Sequence, residues 1–142
     1  MILNPKNGVD SLLFGMKQKD VIACLGNPDK VFKDEDGNEI ILYNEKKLRL
    51  TFYEDENFRL GYIITSNPNC SLLDTMIIGN SITRVKEVLQ FKNWEEEVFD
   101  STTNYFNESN WLTFQVEFGV INKVELGATI NDKDEFNFKF KQ

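Results

Sequence analysis

The chain has 142 residues, a net charge of −7 and no histidine. Hydrophobic residues are 41% of it and aromatics 13%, enough to build one buried core and to exclude a disordered chain. The acidic balance argues against nucleic acid, which needs a cationic footprint, and the missing imidazole removes the usual general base and the commonest metal ligand.

At the start, Met1-Ile2-Leu3 gives way to Asn4-Pro5-Lys6, an apolar stretch too short for a signal peptide, and no later run approaches a membrane span. A first helix is predicted over residues 17–25, where Val21, Cys24 and Leu25 share one side and Gly26-Asn27-Pro28 supplies the stop. Strands are predicted over 30–33 and 39–43 around an Asp36-Gly37 turn. Another covers 47–53, where Leu48, Leu50 and Phe52 alternate with Arg49, Thr51 and Tyr53. Glu54 to Asn57 turns the chain into a strand over 58–64. Ser81 suits the N-cap of a second helix, with Ile82, Val85, Val88 and Leu89 as its apolar stripe. Strands follow over 111–118 and 120–126, and Phe136, Phe138 and Phe140 alternate with polar residues as one more.

Parts of the chain repeat. Leu12-Leu13-Phe14-Gly15-Met16 matches Met76-Ile77-Ile78-Gly79-Asn80 at an offset of 64, which also carries Val21 onto Val85 and Leu25 onto Leu89. An offset of 62 carries Leu50-Thr51-Phe52 onto Leu112-Thr113-Phe114, and a two-residue deletion after the helix reconciles the two. The expectation is an α+β fold of two tandem helix-plus-antiparallel-meander units, with helices on one face of the sheet. Residues 1–142 form a single domain in this reading. The repeats cover roughly 11–67 and 74–130, and a C-terminal strand about 134–141.

Phe14-Gly15-Met16, then Val21 and Leu25-Gly26, resembles the opening of the repeat in β-lactamase inhibitor proteins. A related opening occurs in the small lipoproteins of the outer-membrane β-barrel assembly machinery. The resemblance implies a concave sheet that grips a partner protein. The inhibitors are secreted and disulfide-bonded and the lipoproteins carry a lipidated cysteine, whereas Cys24 and Cys70 read here as reduced thiols in a cytoplasmic protein. Cys24 is expected in the core and Cys70 in a polar loop. Bacterial immunity proteins, small and acidic, are the analogy that follows.

Asp34-Glu35-Asp36-Gly37-Asn38 does not fit a calcium loop, because the Gly comes too early and no Glu stands twelfth. No metal and no cofactor is expected. Alternation sends Tyr53, Trp111 and Arg49 to the face away from the helices, where aromatics beside Arg make a protein-binding hot spot. With the acidic turn Glu54-Asp55-Glu56 they form the predicted site for a basic protein partner. The functional expectation is a non-catalytic inhibitor, an immunity protein occluding a toxin's active site. The alternative is a ligand-sensing or scaffold domain, homodimeric through the same face.

Overall fold

A computed structural model describes residues 1–141. Three two-residue strands, β1 (Leu3–Asn4), β2 (Gly8–Val9) and β3 (Leu12–Leu13), open the chain as a small antiparallel sheet. Helix α1 (Gln18–Leu25) comes next, then β4 (Lys30–Lys33), β5 (Glu39–Tyr43), β6 (Leu48–Tyr53) and β7 (Arg59–Thr65). A short hairpin of β8 (Ser71–Leu72) and β9 (Thr75–Met76) leads to α2 (Ile82–Leu89). The last strands are β10 (Trp94–Phe99), β11 (Thr102–Asn107), β12 (Leu112–Glu117) and β13 (Val120–Gly127).

Local chemistry accounts for the helix ends. The Lys17 N–H donates to the Asp20 carboxylate at 3.0 Å at the start of α1. Gly26, at φ 83°, ends that helix in a conformation its missing Cβ permits. Ser81 caps α2 by accepting from the Arg84 N–H at 3.4 Å. That helix buries Ile82, Val85 and Leu89, while Val88, expected in the stripe, points outward.

The eight long strands make one antiparallel sheet in the order β10-β11-β12-β13-β7-β6-β5-β4. Leu50, Ile63, Leu126 and Leu112 stand in direct register across four of these strands, and all are buried. Phe52 and Phe114 lie on the same side, fully enclosed, and Val21, Ile82, Val85 and Leu89 close over them. Emptying the volume of either ring costs about 3–5 kcal/mol.

This architecture corrects the α+β expectation of two tandem helix-plus-meander units. The protein is mostly β. Its last strands in each half, β7 and β13, pair with each other from Tyr62–Gly127 to Thr65–Val124, so the backbone ladder runs unbroken through all eight strands. The helices are eight residues each, and α1 buries only Val21. Helices that short plug the core and do not cover a sheet.

Two further expectations change. The C-terminal alternation is not a strand: Phe136 makes an isolated bridge to Ile130, and the N–H groups of Lys139 and Phe140 both donate to the Phe14 carbonyl. The phenyl rings pack onto the core edge instead, with Phe136 and Phe138 stacked at 5.3 Å. The cysteines exchange places, Cys24 being exposed and Cys70 buried, and both are free thiols. No helix among the described residues is long and apolar enough to cross a membrane.

Candidate protein-binding site

Strand register lays one row of side chains across the sheet on the face opposite Leu50. From β4 to β10 it runs Lys30, Leu42, Arg49, Ile64, Glu125, Thr113, Phe106 and Glu95. The period of two excludes these residues from the core, and the charge is sorted along the row. Cations occupy the β4–β6 end and carboxylates the β13–β10 end.

At the basic end, the Lys30 Nζ and the Arg49 guanidinium sit over the Phe32 ring, 5.1 and 5.8 Å from its centroid. Arg49, Lys47 and Lys123 also border a shallow hollow of about 340 Å³ floored by Leu42 and Ile64.

The acidic end holds a hollow of about 370 Å³, lined by the Glu95-Glu96-Glu97 run, Asn104, Phe106, Thr113 and Glu125. The Tyr62 hydroxyl donates to Glu125 Oε1 at 2.8 Å and fixes that carboxylate over the sheet. Burial first, and then the Glu125 charge, push the Tyr62 phenol well above its ordinary range, so it remains a donor. The side-chain oxygen of Asn104 is buried with no donor, an acceptor left open at the hollow's lining. A hollow of this composition attracts a cation rich in N–H donors, the chemistry of an Arg or Lys side chain.

Trp111 adjoins this hollow through Phe106, the two rings meeting edge to face at 5.3 Å and 87°. Its position is set by the turn before β12. Buried Asn107 donates to the Lys92 carbonyl and accepts from Ser109 and Asn110, locking the single helical turn Glu108–Asn110. Trp111 leaves that turn in the left-handed region, at φ 46°, and its ring lies on the bare α-carbon of Gly127. A Cβ there would overlap the indole.

No family model and no curated protein matches the chain. Among solved structures, the fold is similar to part of an extracellular protein containing an SCP domain from Bacillus anthracis, with a TM-score of 0.52 and 11% identity. The match spans 79% of this chain and 43% of that one. At that identity the likeness is one of fold alone.

The six residues singled out from the sequence are spread over four places. Trp111 is half-buried beside the acidic hollow. Arg49 belongs to the basic end of the row. Tyr53 turns away from Phe52 as alternation requires, but its ring is pressed against Gly61 and stacked under Phe136 at 5.4 Å. Glu54, Asp55 and Glu56 form a single helical turn, in which the Glu54 N–H donates to Asn38 and the Glu54 carboxylate lies against Gly37. Asn38 also donates to Asp34. Burial alone would raise the Asp34 carboxyl, but the donors from Asn38 and Asp36, with Arg49, hold it below its usual range. Sequence reasoning missed Phe106, Asn104 and Glu125. The β-branched and aromatic run Thr102-Thr103-Asn104-Tyr105-Phe106 was the available signal for β11. Among the described residues no group of three His, Cys, Asp or Glu side chains converges on a metal position.

Proposed function

We propose that this chain is a non-catalytic protein-binding inhibitor of the immunity type, which docks a basic partner over the acidic hollow beside Trp111 and occludes that partner's active site. The observation that carries the reading is the hollow itself. Four glutamates and the open Asn104 oxygen line it with Phe106, whose ring is backed by the Trp111 indole, the setting in which a partner's Arg or Lys is both attracted and desolvated. Inhibition by occlusion asks no bond-making of this chain, in keeping with a sequence without His. A cytoplasmic location belongs to the same reading and is supported by two unpaired thiols.

The test is affinity capture from the native host, identification by mass spectrometry, and titration of the purified partner against folded variants. Trp111→Ala is expected to weaken binding by about 2 kcal/mol, the loss typical of a desolvated anchor. Glu125→Gln should weaken binding and reduce its salt dependence. A partner held with unaltered affinity by both variants would refute the assignment.

The second reading, a homodimeric scaffold, draws on the sorted row. Two copies related by a twofold through the middle of the row would set Lys30 of each over Glu95 of the other, with Arg49 over Thr113, the neighbour of Glu125. Sedimentation equilibrium of the purified chain separates the two readings.

A further inference from the structure

β10 is the outermost strand of the eight-stranded sheet, and its outer edge meets no other strand among the described residues. The loop joining it to β11 is Asp100-Ser101, so Phe99 and Thr102 form the hydrogen-bonded pair that closes the hairpin. Alternation along the regular register makes Glu97–Asn104 and Glu95–Phe106 hydrogen-bonded pairs as well. The N–H and C=O groups of Glu96 and Val98 are therefore turned outward, free to join another strand.

Edges of this kind are normally blunted by proline, a bulge or a covering segment. β10 has no proline and no register shift, and its Val98 and Phe99 are 67% and 52% exposed. Among the described residues its protection is charge. Two copies of β10 paired antiparallel about Glu96 would set Glu95 opposite Glu97, and like charges directly opposite one another destabilise a ladder. The same three carboxylates favour a strand that places Lys or Arg opposite them.

We propose that the β10 edge takes an extended basic segment of a partner protein by strand addition. Consecutive Lys or Arg residues lie opposite Glu95, Glu96 and Glu97, and apolar residues opposite Val98 and Phe99. Backbone hydrogen bonds hold the added strand, and the side chains on its open face reach the hollow through Glu95 and Glu97. This rests on the protein-binding reading and specifies the form of the partner.

The experiment uses fluorescence anisotropy with a labelled ten-residue peptide, three central lysines flanked by valines and threonines, at low salt. A second peptide of the same sequence is N-methylated on alternate backbone nitrogens. Val98→Pro removes an outward N–H without touching the ladder to β11, and its fold is checked by circular dichroism. Binding of the plain peptide, with a loss of about tenfold or more on N-methylation and in Val98→Pro, is the expected result. No binding of the plain peptide, or equal binding of the methylated one, would overturn the proposal. So would assembly of the chain with itself that Val98→Pro abolishes, because Lys30 and Lys33 on the opposite edge would then identify β4 of a second copy as the occupant. Glu125→Gln separates the two ideas. A captured partner that depends on Glu125 and Trp111 but not on Val98 would leave the hollow standing and remove the added strand.

Discussion

Adding one methyl group at Gly61 and, separately, at Gly127 should destabilise the protein by different amounts, although the two sites look alike locally. At each, a Cβ would overlap an aromatic ring, Tyr53 in the first case and Trp111 in the second. Neither residue needs a left-handed backbone, so the cost is one of space alone. Over-packing of this kind costs about 1–3 kcal/mol, and the position within that range depends on whether the ring can move. Trp111 is paired with Phe106 edge to face, and such a pair contributes only about 0.5–1.5 kcal/mol. Gly127→Ala should therefore swing the indole outward at a cost near 1 kcal/mol. Tyr53 is held between Gly61 and Phe136, which is itself stacked on Phe138, so it cannot yield without lifting the C-terminal segment. Gly61→Ala should cost about 2–3 kcal/mol. Urea denaturation followed by circular dichroism measures both. Emission from Trp111 in a Trp94→Phe background should shift to the red in Gly127→Ala and remain in place in Gly61→Ala. Equal midpoints for the two variants, or an unmoved Trp111 emission in Gly127→Ala, would refute the packing argument.

Thiol modification by an aromatic disulfide at neutral pH should label Cys24 alone in the folded chain and both cysteines after unfolding, because Cys70 is fully enclosed and burial raises its thiol pKa. Equal rates at the two sites would show that Cys70 is not enclosed. At high pH the fold should lose stability. Burial holds the phenols of Tyr53 and Tyr62 above their ordinary value, so above about pH 10 the unfolded chain releases protons that the folded chain retains. Tyr62→Phe should flatten that decline in a denaturation series from pH 8 upward, and an unchanged slope would count against a raised Tyr62.

What was legible in the sequence was local. The alternation of Leu48, Leu50 and Phe52, the Asp36-Gly37 turn and the Ser81 cap each follow from a few adjacent residues, and each appears in the structure. What was not legible depends on partners far along the chain. Tyr53 points to the open face as its spacing says, but its cover, Phe136, comes from the C-terminal segment. Cys70 lies in a polar stretch yet is buried, because the N-terminal segment closes over it: the Ser71 N–H donates to the Met1 carbonyl, and Ile2 bridges to Ser71. Cys24 failed for the opposite reason. Its spacing from Val21 implied a wide apolar stripe, and α1 buries Val21 alone. β10 was hidden by its own Glu95-Glu96-Glu97 run, which reads as solvated charge until β11 is seen to fix it into a strand. The joining of β7 to β13, which overturned the tandem α+β expectation, leaves no trace in either strand's pattern. Both alternate as strands do, whatever their neighbour.

That junction also orders the assembly of the sheet in time. Six of its seven ladders join strands adjacent in the chain, and only β7–β13 brings together residues about sixty positions apart. Each hairpin can form with little loop-closure entropy, on a scale of about 1–10 μs. Closing the remaining loop carries a cost of about 3–4 kcal/mol that no contact offsets until the two strands meet. The encounter of β7 with β13 is therefore the natural barrier to folding. The speed at which this molecule becomes native depends on four pairs of residues at the middle of its sheet.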